Sequence, residues 1–272
     1  MRTSSVSEGS VIREVAELFG GDARDTILFE NFDKHRTELA LIRRGLARDG
    51  ALLDLGGGVG VNLVCLRRSG HRGRLVLVDH LREYDEHNRM GSSTRARELL
   101  ASHDIELHEV DVWPAYRSGL PDDAFDAATS FCVFEHLPGH PQQQLSELAR
   151  IVRPGGAVLV GVPNAVSLMK RVRLLAGHYP YTPFAEWTAP AFHGHFREYT
   201  ARECEALIAD AGLQLVEIVR SAAVPQTRAR NRYYRGRTRG ASLTSVGLAL
   251  VYAAELALPS LRDSIYAVAT KP

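Results

Sequence analysis

The 272-residue chain is poor in the features that mark several protein classes. It has three cysteines, Cys65, Cys132 and Cys204, far apart and without CxxC spacing. That argues against a disulfide framework or a zinc site of standard spacing and leaves small buried thiols in a reducing compartment as the expectation. Excess charge is nearly absent, with a formal net of +1, so overall charge gives no reason to expect nucleic acid as a partner. The opening residues, MRTSSVSEGSVIREVAELFG, lack the apolar segment of a signal peptide. The longest apolar stretch, Leu243 to Leu261, is interrupted by Thr244, Ser245, Glu255 and Ser260. It falls short of the roughly 20 apolar residues that span a bilayer. The expectation is a cytoplasmic globular protein without internal repeats.

What the chain does have is apolar residue, 45%, enough at this length for one sizeable core. Residues 1 to 50 read as helices with charged faces. Lys34 to Arg48 carries Leu39, Ile42 and Leu46 at helical spacing, with Gly50 ending it. Short apolar runs then alternate with helical patterns. Strands are expected at Ala51–Leu55, Arg74–Asp79, Ile105–Val110, Phe125–Cys132 and Ala157–Val162, and helices at Val61–Arg68, Thr94–Ser102 and Gln142–Val152. That alternation implies βαβ units around a parallel sheet. Val166 to Phe192, rich in aromatics and prolines, reads as an inserted lobe or lid. Regular structure resumes at Thr200, which with Glu203 forms a capping box. Two last strands are expected at Leu213–Val219 and Ile265–Ala269.

The most informative motif is Asp54-Leu-Gly56-Gly57-Gly58-Val-Gly60, at the end of the first strand. Glycines there let the chain turn sharply, and the following helix N-terminus offers backbone N–H groups to a ligand. A dinucleotide fingerprint, GxGxxG, is not met: counted from Gly56 the sixth position is Val61, and from Gly58 it is Leu63. A second strand ends in Asp79, about 20 residues on, a carboxylate able to accept both hydroxyls of a ribose. Asp111 ends the third strand, with Trp113 beside it. Phe125 to Leu137 and the Arg153-Pro-Gly-Gly156 turn follow in order.

This set of motifs resembles the class I S-adenosylmethionine-dependent methyltransferases, specifically a broad bacterial subgroup acting on small molecules. The resemblance covers about residues 50 to 220. It implies an α/β, Rossmann-like fold: a mostly parallel seven-stranded sheet flanked by helices, with a lid insertion. It implies a single domain over 1–272, comprising an N-terminal helical cap (1–50), a cofactor-binding half (51–162), an acceptor and lid insertion (163–199) and a C-terminal half (200–272) with an Arg-rich and apolar insertion at 226–261. The cofactor would be S-adenosyl-L-methionine, leaving as S-adenosyl-L-homocysteine. Its binding residues would be Asp54, Gly56, Gly58, Gly60, Asp79, Asp111 and Ser130. Asp79 would take the ribose hydroxyls and Asp111 the adenine amino group.

The acceptor side is carried by two histidine motifs. His136, in Ser130 to Leu137, lies at the carboxyl end of the fourth strand, where ligands of open α/β sheets bind. The run His193-Gly-His195-Phe-Arg197-Glu-Tyr199-Thr200 resembles the His-x-Arg-x-Tyr-Thr run of the same subgroup, as do Pro163-Asn164 and the Ser167 to Gly177 stretch. His136 and His195 are the catalytic candidates, because a neutral imidazole can take a hydroxyl proton near neutral pH. Glu135, Arg173, Tyr181, Trp187, His193 and Arg197 are the acceptor-binding candidates. Some relatives hold a divalent ion through Glu-x-x-Glu-His and a distant His. Here Cys132 stands at the earlier Glu position, so no metal is expected. The Phe125 to Leu137 run lacks the Asn/Asp-Pro-Pro-aromatic signature of base N-methylation.

The expected reaction is therefore O-methylation of a hydroxyl on a sugar, a glycan or lipid-linked intermediate, or a secondary metabolite. N- or C-methylation of a small molecule, a non-catalytic adenosyl-binding module and a nicotinamide oxidoreductase are the alternatives. Six arginines between Arg228 and Arg239, followed by the apolar stretch, leave room for peripheral membrane contact through 228–261. A homodimer is the default assembly.

Overall fold

The computed structural model describes residues 7–81, 92–113, 116–188, 194–222, 250 and 253–272. His193, the Arg-rich patch and most of the 226–261 insertion lie outside the described residues. Among the described residues no helix is long and apolar enough to cross a membrane.

Seven strands form one sheet in the order β3-β2-β1-β4-β5-β7-β6. They are β1 (Leu52–Leu55), β2 (Leu75–Val78), β3 (Ile105–His108), β4 (Phe125–Phe131), β5 (Val152–Pro163), β6 (Gln214–Ser221) and β7 (Ser264–Thr270). The first five run parallel, and β7 is antiparallel to both β5 and β6. The expected mostly parallel, seven-stranded, Rossmann-like fold is the one observed.

Side chains alternate across the sheet with the two-residue period of a strand. Leu52, Leu75, Leu77, Ala127, Leu159 and Tyr266 face one apolar layer. It is built with α1 (Glu8–Phe19), α3 (Phe32–Gly45), α4 (Val61–Arg68) and α5 (Ser93–Ser102). Leu53, Leu55, Val76, Val78, Ala128 and Val158 face the other, with α6 (Gln142–Ile151) and α9 (Ala201–Asp210). The strands nearest the centre are covered on both faces, which explains their nearly continuous apolar runs. A short helix α2 (Gly21–Asp25) and a π-turn (Thr26–Glu30) join α1 to α3.

Helix α3 ends at Gly45, five residues before the glycine that the sequence offered as its stop. Leu46 takes an extended conformation and turns its side chain into the core, and burying that leucine outweighs continuing the helix over a polar segment. At α9 the local signal is accurate. The Thr200 side chain accepts from Glu203 N–H, and the Glu203 carboxylate accepts from Thr200 N–H. The lid region folds into α7 (Leu168–Leu175), which buries none of its residues, and α8 (Phe184–Trp187).

Candidate active site

The carboxyl ends of β1, β2 and β4 open onto one cleft, as the geometry of parallel sheets requires. The glycine loop after β1 forms its floor. Gly56 is left-handed, with φ of 69°, and a Cβ there would lie 2.4 Å from Val133 Cγ2. Gly57 lets the chain lie against Asp54, since a Cβ would come within 2.2 Å of the Asp54 carboxylate. Asp54 sits under the loop and is fully buried, with Thr129 Oγ1 donating to it at 2.7 Å. Burial pushes its carboxyl up to about 7, against the Thr129 hydrogen bond. Gly60 caps the N-terminus of α4.

Asp79 fastens this loop from the neighbouring strand. Its Oδ2 accepts Gly58 N–H at 2.8 Å and its Oδ1 accepts Leu81 N–H at 3.1 Å. Gly56, Asp79, Asp111 and Trp113 line a cavity of about 340 Å³, together with Val133 and His136. That volume lies within the range of small-molecule sites, roughly 300–1,000 Å³. Trp113 is set beside Gly139, where a Cβ would lie 2.3 Å from the indole. Of the expected cofactor residues, Asp79, Asp111 and Gly56 face the cleft. Asp54, Gly58 and Gly60 shape its floor from behind. Ser130 is buried inside β4, and its hydroxyl has no hydrogen-bond partner among the described residues.

An acid paired with a glycine loop meets a hydroxylated sugar, and an aromatic and aliphatic wall meets a purine face. The residues present therefore suit an adenosyl ligand.

A second, larger cavity of about 990 Å³ adjoins the first. Arg173, Tyr181, Trp187, His195 and Arg197 line it, with Phe196 lining both cavities. Two histidines far apart in sequence meet at this boundary. The rings of His136 and His195 lie edge to face with centroids 4.8 Å apart. The contact is held by the backbone: Phe196 N–H donates to Glu135 O at 2.7 Å, and His136 Nδ1 lies 3.3 Å from Gly194 O. Asn164 anchors the neighbouring loop by donating to Arg262 O at 2.7 Å.

A methyltransferase-domain family model matches residues 27–218, well over half of the chain. The chain belongs to the class I S-adenosylmethionine-dependent methyltransferase family. Among curated relatives, it is 34% identical over 124 residues to an uncharacterized 37.1 kDa protein in transposon TN4556 of Streptomyces fradiae, covering 45% of this chain and 33% of that one. It is 33% identical over 96 residues to a probable S-adenosylmethionine-dependent methyltransferase of Mycolicibacterium smegmatis, covering 35% of this chain and 31% of that one. These matches span about a third of the relatives' length. The fold is similar to that of geranyl diphosphate C-methyltransferase from Streptomyces coelicolor A3(2), solved with Mg²⁺, geranyl diphosphate and S-adenosyl-L-homocysteine. That likeness has a TM-score of 0.52 at 17% identity, covers 87% of this chain and 79% of that one, and concerns fold alone.

Within this methyltransferase fold, Glu135 does not face the acceptor cavity, where the sequence had it. It is fully buried, and neither carboxylate oxygen has a hydrogen-bond partner among the described residues. Burial pushes its carboxyl up to about 7, tempered by the charges of His195 and Lys34. Glu135, His136 and His195 each offer a ligand atom within 4.8 Å of the others. The cation of Lys34 already faces this group, and His195 Nδ1 already bonds Glu198.

Sequence reasoning missed several residues of this neighbourhood. Lys34 enters from α3 with its charge acting on Cys132 and Glu135 of the turn after β4, an interaction between the helical cap and the site that no motif spacing signals. Lys170 and Glu198 form a buried ion pair beside His195. Glu198 could have been found, since it stands three positions after His195 in a motif already singled out.

Proposed function

We propose that the chain is a methyltransferase that moves the methyl group of S-adenosyl-L-methionine to a hydroxyl of a small-molecule acceptor. Sugars, glycan or lipid-linked intermediates and secondary metabolites are the acceptor classes. One observation carries this reading: two adjoining cavities share Phe196 and meet at the His136–His195 pair. A two-substrate reaction needs such a boundary, with a proton acceptor on it.

When bound, S-adenosyl-L-methionine supplies an electrophilic methyl group. Asp79 would accept its ribose hydroxyls, Asp111 its adenine amino group, and Trp113 would cover the purine. Arg173, Tyr181, Trp187 and Arg197 would hold the acceptor, with stacking and charge pairing as their means. The lid helices α7 and α8 would exclude water, and orientation would supply most of the acceleration. An imidazole at the boundary would take the hydroxyl proton. N- or C-methylation keeps the same cofactor arrangement with another accepting atom. A non-catalytic adenosyl module would bind cofactor without turnover. The 51–162 and 163–199 segments act, on this reading, as cofactor and acceptor parts of one domain.

The test is calorimetric titration with S-adenosyl-L-homocysteine, followed by a turnover screen over hydroxylated acceptors. Saturable binding with product from a hydroxyl acceptor is expected. Failure of folded protein to bind would overturn the reading, and product only from amine or carbon acceptors would move it to the N- or C-methyl alternative.

A further inference from the structure

The two histidines at the cavity boundary are not equivalent. His136 lines the smaller cleft beside Asp79, whereas His195 lines the larger cavity. His195 is held at three points. Its Nδ1 lies 2.9 Å from Glu198 Oε1, its backbone N–H donates to Thr182 Oγ1 at 3.1 Å, and its carbonyl accepts from the same hydroxyl at 2.9 Å. The other oxygen of Glu198 pairs with Lys170 Nζ, which also donates to Asn164 O at 2.9 Å. Glu198 and Lys170 have side chains only 6% and 13% exposed, although Lys170 belongs to the otherwise unburied helix α7. Burying that ion pair costs desolvation, and its geometry is used to fix one ring nitrogen of one histidine.

We infer that Glu198 is a positioning residue that makes His195 a proton acceptor of the reaction. A carboxylate on Nδ1 accepts an N–H and does not donate one. The neutral imidazole is thereby held as the Nδ1–H tautomer, and Nε2 is the basic nitrogen. Lys170 keeps Glu198 ionised and anchors it to the loop after β5. In the transfer, the acceptor O–CH₃ bond forms as the S–CH₃ bond breaks. The S–C electron pair returns to sulfur, and the hydroxyl proton goes to His195 Nε2. This inference rests on the methyl-transfer reading above for its chemistry, but the tautomer it assigns is a property of the protein alone.

Four groups act on His195: Glu198 from its own loop, Glu135 and His136 from the turn after β4, and Lys170 from α7. Burial works to lower its affinity for a proton. The hydrogen bond to Glu198 and the charge of Glu135 outweigh that and raise it, with Lys170 opposing. Glu198 in turn is held below the usual carboxylate range despite burial, by its bonds to His195 and Lys170.

The experiment is imidazole ¹⁵N NMR on the full-length chain across a pH titration, with His195 assigned from a His195→Gln sample. Wild type is expected to show Nδ1–H in the neutral ring. In Glu198→Gln the amide donates to Nδ1. The neutral ring should then carry its proton on Nε2, and the midpoint should move down. Lys170→Met should move the midpoint up while leaving the tautomer intact, which gives a second reading if Glu198→Gln fails to fold. An Nε2–H ring in wild type, or a tautomer unchanged in Glu198→Gln, overturns the inference and leaves the cofactor reading untouched. Loss of S-adenosyl-L-homocysteine binding by wild type would overturn the methyl-transfer reading and leave only the tautomer assignment standing.

Discussion

Asp79 holds Gly58: a carboxylate at the end of β2 accepts the N–H of a glycine at the end of β1, at 2.8 Å. The same carboxylate fixes Leu81 and borders the cleft, so it organises the glycine loop as well as facing a ligand. Replacing Asp79 by Asn substitutes a donor for one of its acceptor oxygens. The expected result is S-adenosyl-L-homocysteine binding weaker by about 10- to 100-fold, the loss of one or two hydrogen bonds to a charged group. Calorimetry reads it directly, and unchanged affinity would remove Asp79 from the cofactor site.

Gly56→Ala should damage both the fold and the cleft. Its left-handed backbone costs a side-chain-bearing residue about 1–2 kcal/mol, and the methyl would press on Val133, adding about 1–3 kcal/mol of overpacking. Combining it with Val133→Ala should recover the steric part only. In urea unfolding, the double variant is therefore expected to be more stable than the sum of the two single effects predicts. Strict additivity would mean that the two residues do not press on each other.

Asp54 makes stability depend on pH. Its folded pKa is raised to about 7, whereas in an unfolded chain it is about 3.9. Between those values the folded protein binds the proton more tightly, so the Asp54 contribution falls as pH rises through that window and stays low above it. Asp54→Asn lacks this loss. Its melting temperature relative to wild type should therefore be more favourable at pH 8 than at pH 5. A difference independent of pH would show that the buried carboxyl ionises normally.

The two tryptophans occupy different cavities, Trp113 the smaller and Trp187 the larger. In Trp187→Phe, the remaining emission reports Trp113 alone. S-adenosyl-L-homocysteine should change that emission, and should leave the emission of Trp113→Phe nearly unaltered. The opposite pattern would assign the cofactor to the larger cavity.

Much of this protein was legible in order along the chain. The β1 strand with its glycines and the capping box at Thr200 are local signals, in which neighbouring residues supply each other's partners, whereas Asp79 follows β2 directly and Asp111 lies three residues beyond the end of β3. The His136 and His195 motifs were visible only through their resemblance to the family, and Arg173, Tyr181, Trp187 and Arg197 line one cavity. Local signals failed where a residue's partner is remote. Strand β7 pairs with both β5 and β6, antiparallel, because the last strand can bury its apolar faces only by filling the gap between them. Ser130 and Glu135 sit next to residues of the cleft, yet Ser130 is buried within β4 and the turn after β4 buries Glu135.

The sequence by itself determined the alternation of strands and helices and the glycine turn after β1, because strand period and glycine conformation are short-range physics, and its motifs in order carried the resemblance to the family. Only the tertiary structure decided that His195, tied to Glu198, meets His136 and Lys170. Lys170 and Glu198 are 28 residues apart and His136 and His195 lie on separate loops. Their meeting depends on how the segment after β5 folds back over β4.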